Sequence, residues 1–217
     1  MYSTARMSWF LLLITFCTMS SYGQSVDHYE LYSKVVDSFI KTGIKYNVKT
    51  SQVIFVEKYV PRENEVELFS SMLFDTTNGT FLFNRYGYIV EKRLLFQDSN
   101  FKSSVQTLSR EFDETPIIEA TKFKLNTENI TISNEEFYRF FRGKKRNSVD
   151  NGWRKFYRKY PGAHAVFEFS KIIFKGGYAC FYAGRHTNGL NGSGDLYVLK
   201  KIGTEWLIIF CFNIWMA

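Results

Sequence analysis

WRKFYRKYPG (Trp153–Gly162) followed by AVFEFSKIIF (Ala165–Phe174) decides the fold, because the hydrophobic period changes across Pro161-Gly162 from helical to extended. At about 100° per residue, Trp153, Phe156, Tyr157 and Tyr160 fall within one arc, with Arg154, Lys155, Arg158 and Lys159 opposite. The rings face a core and the cations face solvent. In the run that follows, Ala165, Phe167 and Phe169 alternate against Val166, Glu168 and Ser170; the large apolar set then moves to Ile172 and Phe174. A one-residue phase change of this kind predicts a β-bulge near Ser170 and Lys171.

Three further apolar runs complete a C-terminal antiparallel meander. Gly176-Gly177 turns the chain into Tyr178–His186, a polar loop from Gly184 to Gly194 leads to Asp195–Ile202, and Gly203-Thr204 leads to Trp206–Trp215. The last run is apolar on both faces, with Trp206, Ile208, Phe210, Phe212 and Ile214 on one and Leu207, Ile209, Cys211 and Trp215 on the other. Such a strand is either central in the sheet or part of a homodimer interface. If the strands pair in sequence order, Cys180 and Cys211 are a whole strand apart, about 10 Å, too far for a disulfide. Two small buried hydrophobes are the alternative to a bridge.

Upstream, Val26–Lys41 reads as a helix with Asp27 and Glu30 as a capping box, Tyr32, Val35, Val36, Phe39 and Ile40 on one face, and Gly43 as its stop. Gln52–Val60 reads as a strand ended by Pro61, and Glu63–Phe74 as a helix. Asn78-Gly79 marks a turn before two short strands between Thr80 and Phe96, broken near Gly87. A short helix is expected around Val105–Phe112. Ser133 with Glu136 reads as a capping box for a helix whose buried stripe is Phe137, Phe140 and Phe141. The expected fold class is therefore α+β: an N-terminal helix and mixed segment, then helices packed on the C-terminal antiparallel meander.

Arg6, the apolar core Trp9–Phe16 and Ser21-Tyr22-Gly23 read as a secretory signal cleaved before Gln24, so residues 1–23 are expected to be removed and 24–217 to form one domain. The expected location is secreted or periplasmic. No later apolar segment reaches the roughly 20 residues of a membrane span without charge. The formal charge is +7. The stretch Arg139–Lys159 alone carries nine Lys and Arg against the single acid Asp150, so the rest of the chain is slightly acidic. A localised cationic segment suits an acidic envelope component or protein partner. Nucleic acid is disfavoured, because helical phase turns the stacking rings inward and the chain reads as exported.

The stretch Trp153-x-x-Phe156-Tyr157-x-x-Tyr160-Pro161-Gly162, with Phe169-Ser170-Lys171, Gly189-Leu190-x-Gly192-Ser193-Gly194, Leu199-Lys200-Lys201 and Trp206, resembles a group of exported Bacteroidota proteins without an established activity. The resemblance covers the last third of the chain and implies a bacterial secreted or envelope protein. Many of that group hold a cysteine pair before Gly192, where this chain has Thr187 and Asn191. More loosely, helices followed by a curved meander are similar to cystatin-like or nuclear-transport-factor-like domains, which bears on fold alone. Gln52–Val56 lacks the glycine that a cystatin-like inhibitory wedge would need.

The candidates for chemistry are few. His186, Ser193 and Asp195 in the Gly184–Asp195 loop form the only candidate catalytic set; His186, Asp195 and either Ser193 or Glu168 within hydrogen-bond reach in one closed pocket would favour a hydrolase, and side chains splayed into solvent would exclude it. The glycines there also suit positive φ in a long turn. Neither a Walker motif nor a dinucleotide-binding pattern is present, so no cofactor is implied. His164 and Glu168 lie four apart without a third metal ligand. The sequons at Asn78, Asn129 and Asn191 matter only in a eukaryotic secretory route. Two readings stand: a non-catalytic binding or interaction module with Arg154, Lys155, Arg158 and Lys159 as an anion-facing patch, and a hydrolase using the His186 loop.

Overall fold

A computed structural model describes residues 28–45, 50–61, 81–83, 89–91, 97–112, 114–142, 148–189 and 191–217. The signal segment, the Asp27 cap, the helix expected over Glu63–Phe74 and the Asn78-Gly79 turn lie outside them. The helices are α1 His28–Lys45, α2 Ser99–Arg110, α3 Asn134–Arg139 and α4 Ser148–Lys159, with a 3-10 turn at Ala120–Lys122. The strands are β1 Gln52–Val56, β2 Phe81–Phe83, β3 Ile89–Glu91, β4 Glu128–Ile132, β5 Ala163–Phe169, β6 Ile173–Lys175, β7 Tyr178–Asn188, β8 Asn191–Ile202 and β9 Glu205–Met216. The fold is α+β. Among the described residues no helix is long and apolar enough to cross a membrane.

The main sheet runs β4-β1-β5-β7-β8-β9, with β6 also paired to β7; β2 and β3 form a separate hairpin. From β5 onward every pairing is antiparallel, as the meander requires. The sequence pattern did not reveal that β1 inserts parallel to both β4 and β5. β1 is also shorter than expected, ending at Val56 well before Pro61. α1 runs through Gly43, which costs about 1 kcal/mol of helix propensity but does not stop the helix. α2 begins at Ser99, earlier than its apolar pattern suggests, because Asp98 caps it and accepts from the Asn100 and Phe101 N–H groups at 2.9 and 3.2 Å.

Both faces of the sheet are covered. On one, Leu31, Tyr32, Val35 and Val36 of α1 pack on Val53, Phe55, Phe167, Phe169, Phe181 and Leu199. The other face has two coverings. Trp153, Phe156 and Tyr160 of α4 with Phe137 of α3 close over Ile54, Val56, Ile132 and Val166. Phe101, Val105 and Leu108 of α2 close over Tyr182, Leu196, Val198, Phe210 and Phe212. Arg154, Lys155, Arg158 and Lys159 are exposed while Trp153, Phe156 and Tyr160 are buried, as the helical phase requires.

The bulge expected near Ser170 lies there. Phe169 pairs with Ala183 and Ile173 with Cys180, so the three residues Ser170, Lys171 and Ile172 stand opposite the two residues Phe181 and Tyr182. Ile172 consequently joins the core of Phe167 and Phe169, and Ile173 the opposite one. Ser170 is fully buried, and its hydroxyl accepts the Tyr182 N–H at 2.9 Å while its carbonyl accepts the Tyr32 hydroxyl at 2.8 Å. Burial raises the Tyr32 phenol well above its ordinary pKa.

β9 is the outermost strand of the sheet rather than a central one. Its register shifts twice against β8, between Val198 and Leu199 and between Gly194 and Asp195, each time with one extra residue in β9: Ile209 and Ile214. Trp206, Ile208 and Cys211 therefore face α1, and Phe210, Phe212, Ile214 and Trp215 face the α2 side. The expected grouping of Trp215 with Cys211, and of Trp206 and Ile208 with Phe210, is corrected by these bulges. Leu207 and Ile209, the outward positions available to a second copy, are 44% and 37% exposed. Cys180 and Cys211 form no disulfide and are buried on opposite faces, and burial raises the Cys180 thiol pKa.

Replacing Ser170 with Ala leaves the buried Tyr182 N–H without its acceptor. We expect a loss of about 2 kcal/mol in urea unfolding, against less than about 0.5 kcal/mol for Lys155→Ala on the solvated face of α4.

Candidate functional site

The segment Gly184–Asp195 is not a loop. β7 continues to Asn188 and β8 starts at Asn191, so the connection narrows to the turn at Gly189, with Asn188 paired to Asn191. The polarity of the segment, which suggested a loop, belongs to side chains that share hydrogen bonds within the sheet. Gly184, Gly192 and Gly194 lie within strands; among the described residues positive φ occurs at Gly176, Gly177 and Gly203 instead.

What the glycines supply is space. Glu168 pairs with Gly184, Gly184 with Gly194, and Gly194 with Trp215, which makes one row of Glu-Gly-Gly-Trp across four strands. A Cβ on Gly184 would lie 2.6 Å from Glu168 Cγ. One on Gly194 would lie 2.6 Å from the Tyr182 hydroxyl and 2.7 Å from Trp215 Cδ1. Without those methyl groups, the Glu168 side chain lies over Gly184 and reaches His186, and the Trp215 ring lies over Gly194 and donates its indole N–H to the Tyr182 hydroxyl at 2.9 Å. Gly in mid-strand is a sequence signal for such close approach, and Gly184, Gly192 and Gly194 carried it.

The row opens into a cavity of about 320 Å3 at the seam between the two helical coverings. Tyr59 and Trp215 come from the α2 side, and Phe137, Phe141 and Trp153 from the α3–α4 side. Glu168 and His186 form its polar floor: Glu168 Oε1 and His186 Nε2 are 3.0 Å apart, with side chains only 10% and 14% exposed. The imidazole is held between rings, its centroid 5.5 Å from that of Trp215 and 6.0 Å from that of Phe137.

Adjacent residues of a strand point to opposite faces, and this separates the candidate triad. His186 faces the cavity. Ser193 pairs with Arg185, so Ser193 and Asp195 face the α1 side, where Ser193 donates to Asp195 at 3.0 Å and receives Arg185 at 3.3 Å. Asn213 donates to the other Asp195 oxygen at 2.9 Å, and the Arg185 guanidinium lies over the Phe39 ring. This second network braces the end of the β7–β8–β9 sheet. The structure thus joins His186 to Glu168 and parts it from Ser193 and Asp195. No Ser, Thr or Cys is among the described residues that line the cavity.

The anion-facing patch is divided as well. Lys159 is paired with Glu136, and Arg154 donates to Asn151, leaving Lys155 and Arg158 as the plainest solvent cations of the four. Ser133 caps α3 by accepting the Glu136 N–H at 3.1 Å, but Glu136 does not reach back as a capping box would; its carboxylate instead takes Lys159 and, at 2.7 Å, the Tyr160 hydroxyl. That ties α3 to α4, the wall of the cavity. Tyr157 lies on the inner side of α4 and donates to the Thr187 and His164 carbonyls, with its pKa pushed up to about 12 by burial. No group of three or more His, Cys, Asp or Glu suited to a metal occurs among the described residues.

Two outcomes follow from this geometry. Gly194→Ala should cost about 2 kcal/mol in chemical unfolding and shift tryptophan emission to longer wavelength as Trp215 leaves Tyr182. The Lys159 ammonium and then the Tyr160 hydroxyl hold the Glu136 carboxyl below the usual carboxylate range. Its stabilising contribution is therefore present above the unfolded pKa and lost as pH falls through the lowered folded value, so Glu136→Gln should flatten the acid limb of the stability–pH curve. Comparison with protein-family models, curated proteins and solved structures yields no match, so the functional reading rests on the site itself.

Proposed function

We propose that the chain is an exported, non-catalytic binding module whose ligand is a small organic molecule held in the seam cavity. The carrying observation is the combination of a cavity of about 320 Å3, aromatic walls and one buried polar pair. Ligand sites are mostly apolar concavities with a few placed polar groups, and their volumes begin near 300 Å3. The export element of the proposal comes from the signal-like N-terminus.

Support also comes from how the floor is built. Gly192 and Gly194 in β8 and the bulge at Ile214 give up regular strand packing, and together they place the Trp215 ring beside His186. The hydrolase alternative draws on the Glu168–His186 pair, which has the arrangement of a base with its orienting carboxylate. It lacks a protein nucleophile beside that base among the described lining residues. A docking role for Lys155 and Arg158 on an acidic surface is compatible with the pocket, because they lie on the opposite face of α4 from Trp153.

The test is a thermal-shift screen of the mature chain against chemically diverse small molecules. Binders should raise the melting temperature of the native protein and should do so far less for Gly192→Leu, whose side chain fills the space beside Trp215. A screen without stabilising compounds, or hits that bind Gly192→Leu equally, would remove the proposal.

A further inference from the structure

We infer that the occupant of the seam cavity is an organic cation, an amine or quaternary ammonium compound with an apolar body; this rests on the pocket reading above. Three features of the cavity converge on that class.

The first is the carboxylate. Glu168 is buried, and one oxygen engages His186 Nε2 at 3.0 Å. Its other oxygen accepts no hydrogen bond from the described residues, although the side chain lines the cavity. The carboxylate thus sets an acceptor oxygen, beside the imidazole, at the floor of the cavity. That oxygen is not a buried orphan but meets the open space of the cavity, where a bound cation would give it a charge-assisted contact.

The second is the ring wall. Tyr59, Phe137, Trp153 and Trp215 surround the same space. Aromatic faces carry negative potential, attract ammonium groups and repel anions, an effect that grows when water is excluded. The third is the placement of positive charge. The chain carries a formal +7, yet no Lys or Arg is among the described residues that line the cavity. On α4 the sorting is visible residue by residue: Trp153 faces inward while Arg154, Lys155 and Arg158 face solvent.

The experiment compares three probes of similar shape on the mature chain: phenyltrimethylammonium, its uncharged isostere tert-butylbenzene, and benzoate. Binding is read by tryptophan fluorescence and ligand-observed NMR. We expect the cation to bind about tenfold more tightly than the isostere or better, and benzoate least well. In Glu168→Gln the ratio between cation and isostere should collapse toward one, with binding of the isostere kept. Trp215→Leu, a second variant that leaves Glu168 in place, should lower the ratio in part. Equal affinity for cation and isostere in the native protein overturns the charge inference and leaves the pocket reading intact. Absence of binding by all three probes, together with a thermal-shift screen that finds no ligand, overturns both.

Discussion

A sheet that is apolar on both faces has to be roofed on both, and the short helices of this chain do that unequally. α1 suffices for one face because its stripe of Leu31, Tyr32, Val35 and Val36 meets a continuous ring cluster around Phe55, Phe123, Phe169 and Phe181. The other face is roofed in two halves, by α2 over the β7–β8–β9 side and by α3 with α4 over the β4–β1–β5 side. Where two roofs meet there is a seam. Closing it would take large apolar side chains on the sheet beneath, and at those places the chain has Glu168, Gly184, His186, Gly192 and Gly194 instead. The cavity follows from that substitution of glycine and polar groups for packing atoms.

Much of this architecture was legible from the sequence because it depends on local period. The arc of Trp153, Phe156 and Tyr160 and the phase change at Ser170 each follow from counting along one element, and the separation of Cys180 from Cys211 from hairpins that pair in sequence order. The parallel insertion of β1 between β4 and β5 was not legible, since pairing partners far apart in sequence leave no periodic trace. The polar run Gly184–Gly194 was misread as a loop for a related reason. Composition marks it as polar and glycine-rich, but whether such residues form a turn or make room for a neighbour depends on what stands across the sheet. Trp215 is the clearest case: its face is set by an extra residue at position 214, and alternation alone assigns it to the wrong side.

The electrostatic design has the same inside–outside logic as the packing. Cations occupy the solvent face of α4, while the inner face carries rings and the sheet beneath carries a carboxylate paired to an imidazole. Glu136 links the two regimes, since it neutralises Lys159 at the surface and holds the Tyr160 hydroxyl at the margin of the core. The helix that roofs the cavity is therefore anchored by charge on one side and by ring packing on the other.

The bulges in β9 bear on how this chain behaves among other chains. An outermost strand of twelve residues, rich in Ile, Phe and Trp, has no further strand beside it among the described residues and is the kind of segment that templates intermolecular β-stacking. Extra residues at Ile209 and Ile214 bend that strand and interrupt its regular repeat at two places. An incoming strand meets a broken ladder rather than a straight one. The irregularity that aims Trp215 into the cavity thus also leaves the rim of the sheet a poor template for a regular added strand.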